Sequence, residues 1–286
     1  MKICEIRKTP FIFHEYVLQY GGKMSKRGII VGKIVSITNQ KGGVGKTTTA
    51  VSLAFALAEE GKKTLFVDID PQANGTSSYG INKQQLEKSV YEVLIGECDV
   101  QEAILVTKYS NIDVLPTNMN LAGAEIEMVA MDNREGLLKA ALNQIRHRYD
   151  FIIIDCPPSL SLLTLNALNA SNSVLIPLQP EYLALEGVSQ LVNTIKLVKA
   201  RYNPALYIEG VLLTMYDGRM NVTLQVAGEI KRYFGNKVYK TVISRNVRLS
   251  EAPSHGVPIQ IYDRYSKGAL AYREMAREFL ERNKDV

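Results

Sequence analysis

Apolar runs of strand length alternate along the chain with longer segments of helical period. The runs are KIVSIT (33–38), KTLFVDI (63–69), IDVLP (112–116), FIIIDC (151–156), SVLIPL (173–178), IEGVLLT (208–214) and VYKTVI (238–243). Several are unbroken Val/Ile/Leu stretches, which suits strands covered on both faces, as in a parallel sheet. Between them, helical periodicity marks segments at roughly 46–60, 121–147 with a break, 160–170, 186–202, 222–234 and 268–283. The stretch 71–110 divides less clearly, with one helix expected near 83–96. Repeated strand–helix–strand order predicts an α/β fold, a single doubly wound, mostly parallel β-sheet with helices on both faces. With no repeat, low-complexity tract or linker, one domain is read over 33–286, after an N-terminal extension at 1–32.

Ligands in such sheets bind beyond the carboxyl ends of the strands, and the chemistry-bearing residues cluster there. KIVSIT runs into NQKGGVGKTTT and then AVSLAFALAEE, read as an amphipathic helix with Val51, Phe55 and Ala58 on one side. A phosphate-binding loop reads G-x-x-x-x-G-K-[ST]. Gly45, Lys46 and Thr47 fit, but Gln40 stands in place of the first glycine, and Lys41 is a lysine that the pattern does not require. Gly42, Gly43 and Gly45 allow backbone angles closed to other residues, so that N–H groups of the loop, Val44 included, point at phosphate oxygens. The helix N-terminus adds partial positive charge. Lys46 is expected at the β- and γ-phosphates, the Thr47 hydroxyl on Mg²⁺ and Thr48 at the α-phosphate. Asp155 closes the apolar run FIII and is placed to hold Mg²⁺ through water. FVDIDPQAN supplies Asp68 and Asp70 on one face, with Asp70 the better candidate to position an attacking water.

Charge changes the picture through its distribution. The net +5 divides into six Lys/Arg against two Asp/Glu in 1–32, twelve against eighteen in 33–195, and sixteen against nine in 196–286. A basic C-terminal third suits a polyanion. Three cysteines (Cys4, Cys98, Cys156) without C-x-x-C spacing give no disulfide framework or zinc site and suit a reducing compartment. His14, His147 and His255 are scattered. No apolar run reaches the ~18 residues of a membrane span. The first 23 residues do not read as a secretory signal, because His14, Glu15 and Gln19 interrupt the apolar stretch. Met24 is a second plausible start, so the residues before it are read as a non-native extension.

KGGVGKTTT, FVDIDPQAN, YDFIIIDCPPSLSLLTLNAL, IPLQPEYLALEG, LLTMYDGR and RNVRLSEAPSHGVPI together resemble the ParA/Soj/MinD family of deviant Walker P-loop ATPases, closest to the chromosomal ParA (Soj) subgroup, from about Lys33 onward. The resemblance implies a Mg²⁺-dependent ATP hydrolase that is a homodimer when ATP-bound. It makes Lys41 a residue that reaches the partner's nucleotide, Asp70 the hydrolytic aspartate and Asp155 the Walker B residue. It places Asn246 near adenine, and Ser244, where the family often has proline, at a backbone contact to adenine. It implies non-specific double-stranded DNA binding through Arg219 and Arg248, with Lys231, Arg232, Lys237, Lys240 and Arg245 as candidate extensions of the patch. It implies a ParB-like partner that stimulates hydrolysis, a cytoplasmic, nucleoid-associated location and no stable membrane binding. The alternative is a MinD-like membrane ATPase, which needs a cationic amphipathic C-terminal helix. Here Glu274, Glu278, Glu281 and Asp285 lie among the arginines, so a helix docked on the sheet through Leu270, Tyr272, Met275, Ala276 and Phe279 is expected. An iron–sulfur reductase like the nitrogenase iron protein would need paired cysteines, and the spacing offers none.

Overall fold

The computed structural model describes residues 31–182 and 184–284, and the backbone of 24–25 and 28–29, which pair as a short antiparallel ladder. The expected extension before Met24, with Cys4 and His14, lies outside the described residues.

The strands are β1 (Lys33–Ile37), β2 (Thr64–Asp68), β3 (Leu105–Val106), β4 (Ile112–Leu115), β5 (Phe151–Asp155), β6 (Ser173–Leu178), β7 (Tyr207–Tyr216) and β8 (Val238–Ser244). They form one sheet in the order β8-β7-β6-β1-β5-β2-β4-β3, parallel except for the β3–β4 pair. The expected runs all appear. Within this sheet only β3 was not foreseen: two exposed residues at an antiparallel edge carry no periodic signal.

The helices are α1 (Lys46–Glu59), α2 (Asn74–Ser77), α3 (Val90–Ile95), α4 (Val100–Ala103), α5 (Leu121–Glu127), α6 (Leu137–Ile145), α7 (Leu162–Ala170), α8 (Ala184–Arg201), α9 (Asn221–Phe234), α10 (Val247–Glu251), α11 (Ile259–Tyr262) and α12 (Lys267–Arg282). The helix expected over 83–96 shrinks to α3. Its start is set by a capping box: the Ser89 hydroxyl accepts from Tyr91 N–H, and the Glu92 carboxylate accepts from Ser89 N–H.

Alternate side chains of the central strands feed opposite cores. Val35, Ile37, Phe66 and Ile153 pack with α1 and α12, whereas Ile34, Leu65, Val67, Ile152 and Ile154 pack with α5, α6 and α7. By the same alternation Asp68 and Asp155, register partners on β2 and β5, face the α1 side. One expectation is corrected here. α1 is not amphipathic: it is buried nearly all round, from Thr49 through Ala58, because α11 and α12 cover the face turned away from the sheet.

α12 docks as expected through Tyr272, Met275, Ala276 and Phe279, although Leu270 is half exposed. The Glu278 carboxylate accepts from the N–H groups of Lys240 and Thr241 on edge strand β8, and Arg273 forms a two-pronged pair with Glu59. At the amino end of β1, Lys33 is buried against Glu209, with Ser173 and Asn283 completing the cluster. Burial pushes the Glu209 carboxyl up, but the Lys33 charge and the hydrogen bonds from Lys33, Ser173 and Asn283 together hold it below its ordinary value.

Candidate functional site

β1 ends between β5 and β6, and the loop that follows is anchored to its neighbours on one side. Thr38 N–H donates to the Leu175 carbonyl, Asn39 Nδ2 donates to the Pro177 carbonyl at 2.7 Å, and the Thr214 hydroxyl donates to the Val44 carbonyl at 2.8 Å. The sequence pattern assigns no role to Asn39 or Thr214. Asn39 was legible only as part of a motif, and Thr214 is brought in by the sheet order. Asn39 also accepts from Lys41 N–H, which sets the backbone direction just before the glycines.

The glycines divide their work. Gly43 (φ 73°) and Gly45 (φ 85°) occupy the left-handed region, whereas Gly42 does not, so the expected backbone reason holds for two of the three. A Cβ on Gly42 would meet no protein atom within 4 Å. Space above the loop, not conformational strain, accounts for that glycine. Gly42→Ala is therefore expected to leave the melting curve unchanged, within about 0.5 kcal/mol, while weakening ATP binding in calorimetry. A large loss of stability would show that Gly42 serves the fold instead.

Lys46 is buried, and its Nζ donates to the Lys41 carbonyl at 3.0 Å. Burial pushes the Lys46 ammonium down, against the pull of Asp155 and Asp70. Lys41 is exposed and forms an ion pair with Glu181, just beyond β6. In the sequence Glu181 is one letter of IPLQPEYLALEG with no partner in view, and its pairing is visible only in three dimensions.

Asp155 is fully buried, and neither carboxylate oxygen has a hydrogen-bond partner among the described residues. Burial and then the Asp68 charge push its carboxyl well above the usual range. The Thr47 hydroxyl is near enough to favour the ionised form, yet outside hydrogen-bond geometry. A buried, unsatisfied carboxylate beside a threonine hydroxyl is a donor set that fits a hard divalent cation. Asp68 serves the fold instead. Its Oδ2 accepts from Thr76 N–H at 2.7 Å and from the Thr76 hydroxyl at 2.8 Å, which fixes the α2 turn. Burial raises its pKa to about 6. Asp70, 8% exposed, accepts from Gln72 N–H through Oδ1.

Beside the loop, a cavity of about 370 Å³ is lined by Gly45, Thr48, Met215, Ser244, Asn246 and Tyr272, among others. The expected base-binding residues Ser244 and Asn246 thus join the phosphate loop in one site. Asn246 Oδ1 is already engaged, capping α10 by accepting from Arg248 N–H.

Matches to known proteins follow this geometry. Residues 32–208 match the model of the AAA_31 family, an AAA domain. The sporulation initiation inhibitor protein Soj of Bacillus subtilis is 59% identical over 248 residues, covering 87% of this chain and 98% of that protein. The chain belongs to the ParA/Soj family of P-loop ATPases. A chromosome partitioning protein ParA of Myxococcus xanthus is 50% identical over 262 residues, covering 92% of this chain and 93% of its own. Among solved structures, cobyrinic acid a,c-diamide synthase from Mycobacterium smegmatis, with bound ATP analog and magnesium, superposes with a TM-score of 0.78 at 39% identity, covering 89% and 96% of the two chains. Family membership accounts for the mostly parallel sheet with its helices.

Arg219 and Arg248 follow the carboxyl ends of adjacent strands β7 and β8, where Ser244 pairs with Tyr216, and so share the phosphate-loop end of the sheet. Arg245 lies with them. Lys231 and Arg232, in the last turn of α9, and Lys237, before β8, lie near the opposite end. A seven-residue strand separates the two ends by ~20 Å. Those three residues therefore do not extend the arginine patch, because the crossover helix carries them away from it. Lys240 sits mid-strand on the β8 edge.

Proposed function

We propose that the chain is a Mg²⁺-dependent, dimerising ATPase that binds duplex DNA without sequence preference and drives chromosome or plasmid segregation. The observation that carries this reading is the separation of the two loop lysines. Lys46 is inside the cradle, 6% exposed, whereas Lys41 stands exposed on the rim beside Glu181. A cation outside its own cradle suits the phosphates of a second copy, where a buried triphosphate needs added positive charge. The names of the Bacillus and Myxococcus relatives, a Soj and a chromosome partitioning ParA, point the same way.

In this reading the backbone N–H groups of Gly42, Gly43, Val44 and Gly45 hold the β-phosphate, Lys46 spans the β- and γ-phosphates and Thr48 takes the α-phosphate. Thr47 and, through water, Asp155 hold Mg²⁺, which supplies positive charge against the phosphates when bound. Asp70 orients the attacking water. Ser244 and Asn246 flank adenine. Lys41 leaves Glu181 for the partner's nucleotide, so that losing the γ-phosphate removes the charge it was matched to and loosens the dimer. Arg219 and Arg248 neutralise DNA phosphates, and dimerisation joins two weak patches into one strong one. A ParB-like protein stimulates hydrolysis, and the protein works on the nucleoid in the cytoplasm. The membrane alternative is disfavoured because the apolar face of α12 is already buried against β8 and α1.

The Arg219→Glu, Arg248→Glu double variant is expected to dimerise with ATP yet bind duplex DNA roughly 10²-fold more weakly in gel shifts. Retained, salt-sensitive binding would move the DNA site elsewhere. Pelleting of the unmodified protein with anionic vesicles and ATP would favour the membrane reading.

A further inference from the structure

Both arginines assigned to DNA are already engaged by carboxylates of their own protomer. Asp217 accepts from Arg219 three times: from its backbone N–H at 3.1 Å, from Nε at 2.9 Å and from Nη2 at 2.7 Å. Arg248 Nη1 donates to Glu251 Oε2 at 2.9 Å, and its Nε lies 3.6 Å from Asp263 Oδ2. Glu251 is itself steadied by the Tyr262 hydroxyl, which donates to the same oxygen at 3.0 Å, and His255 stacks on the Tyr262 ring. The two sites are built differently, one a tight turn and the other a helix flank, yet each pairs an exposed guanidinium with acid.

We propose that Asp217 and Glu251, the latter helped by Asp263, are counter-charges that set the DNA affinity of a single protomer low, so that only the doubled surface of the dimer holds a duplex. This inference rests on the proposed roles of Arg219 and Arg248 and adds the acids that regulate them. A guanidinium fork fits carboxylate and phosphate alike. A DNA phosphate that approaches either arginine must displace a carboxylate already in that position and tolerate its residual negative charge nearby. Exposed ion pairs are individually weak, so the exchange stays reversible and tunes affinity without blocking binding. The Arg219 hydrogen bonds, with the Arg245 charge adding to them, hold the Asp217 carboxyl down to about 2, and the Arg248 hydrogen bond holds Glu251 below its ordinary value. Both acids therefore remain charged at neutral pH.

The test is fluorescence anisotropy of a labelled random-sequence duplex titrated with the full chain, loaded with ADP or with a slowly hydrolysed ATP analogue, across a salt series. Asp217→Asn keeps an oxygen acceptor for Arg219 N–H, and Glu251→Gln keeps one for Tyr262, so the local turns survive. The double variant is expected to bind on the order of tenfold more tightly in the ADP form, with a salt slope steeper by about one to two. The gap between ADP and ATP-analogue forms is expected to narrow. Glu281→Gln removes one negative charge, as Asp217→Asn or Glu251→Gln does singly, at the Lys284 pair near the far end of the sheet, and is expected to change little where each of those single variants tightens binding. Equal tightening in Glu281→Gln would reduce the effect to net charge and overturn the inference. Unchanged or weaker binding in Asp217→Asn and Glu251→Gln would also overturn it, since the acids would then be inert or would aim the arginines. If Arg219→Glu, Arg248→Glu retains full binding, the parent reading fails instead, and the two failures are separated.

Discussion

Asp70→Ala is expected to lower ATP turnover by about 10²–10⁴-fold, the range for losing a positioned proton acceptor, while the protein accumulates as an ATP-loaded dimer. Asp70 follows β2 at the end of the sheet where Asp155 and the phosphate loop meet, and one of its oxygens is held by Gln72 N–H. That leaves the other oxygen to orient water. In the proposed arrangement Asp70 makes no phosphate contact, so nucleotide binding and dimer contacts are expected to survive the substitution. Phosphate release and size-exclusion chromatography on the same sample check both halves. Unchanged turnover would remove Asp70 from the mechanism.

Lys41→Ala is expected to bind ATP yet remain monomeric with it, and to lose roughly 10³-fold in turnover, as when a cation supplied in trans is removed. Its Nζ makes no contribution to the cradle of its own protomer: Lys46 occupies the interior, and only the backbone carbonyl of Lys41 contacts it. The fold carries little cost, because the ion pair lost with Glu181 is exposed at both partners. Sedimentation equilibrium with ATP decides the point, and a normal dimer would contradict the role.

Much of this site was legible in the residues alone. Unbroken apolar runs such as FIIID marked the buried parallel strands, and the loop with its neighbouring aspartates fell at strand ends as sheet topology requires. Three kinds of feature were not legible. The first was burial around α1, whose small and apolar residues form no single stripe because the sheet, α11 and α12 enclose it. The second was long-range pairing: Asn39 with Pro177, Thr214 with Val44 and Lys41 with Glu181 are contacts between strand ends far apart in the chain. The third was direction. Lys231, Arg232 and Lys237 are close to Arg219 and Arg248 in sequence, yet the length of α9 separates them from the first and strand β8 from the second. Sequence charge counts cannot see which end of a crossover a lysine occupies.

Sharing of a lysine between two copies is tested most directly by mixing two inactive variants. Lys41→Ala retains its own Asp70, and Asp70→Ala retains its own Lys41. In a symmetric dimer each protomer receives what its partner supplies, so a mixed dimer rebuilds one complete site. Combined in equal amounts before ATP is added, the variants are expected to recover turnover well above that of either variant alone and below half of wild type, because Lys41→Ala pairs only with a protomer that retains Lys41 and each mixed dimer has one working site of two. Turnover no higher than that of either variant alone would contradict a lysine acting across the dimer.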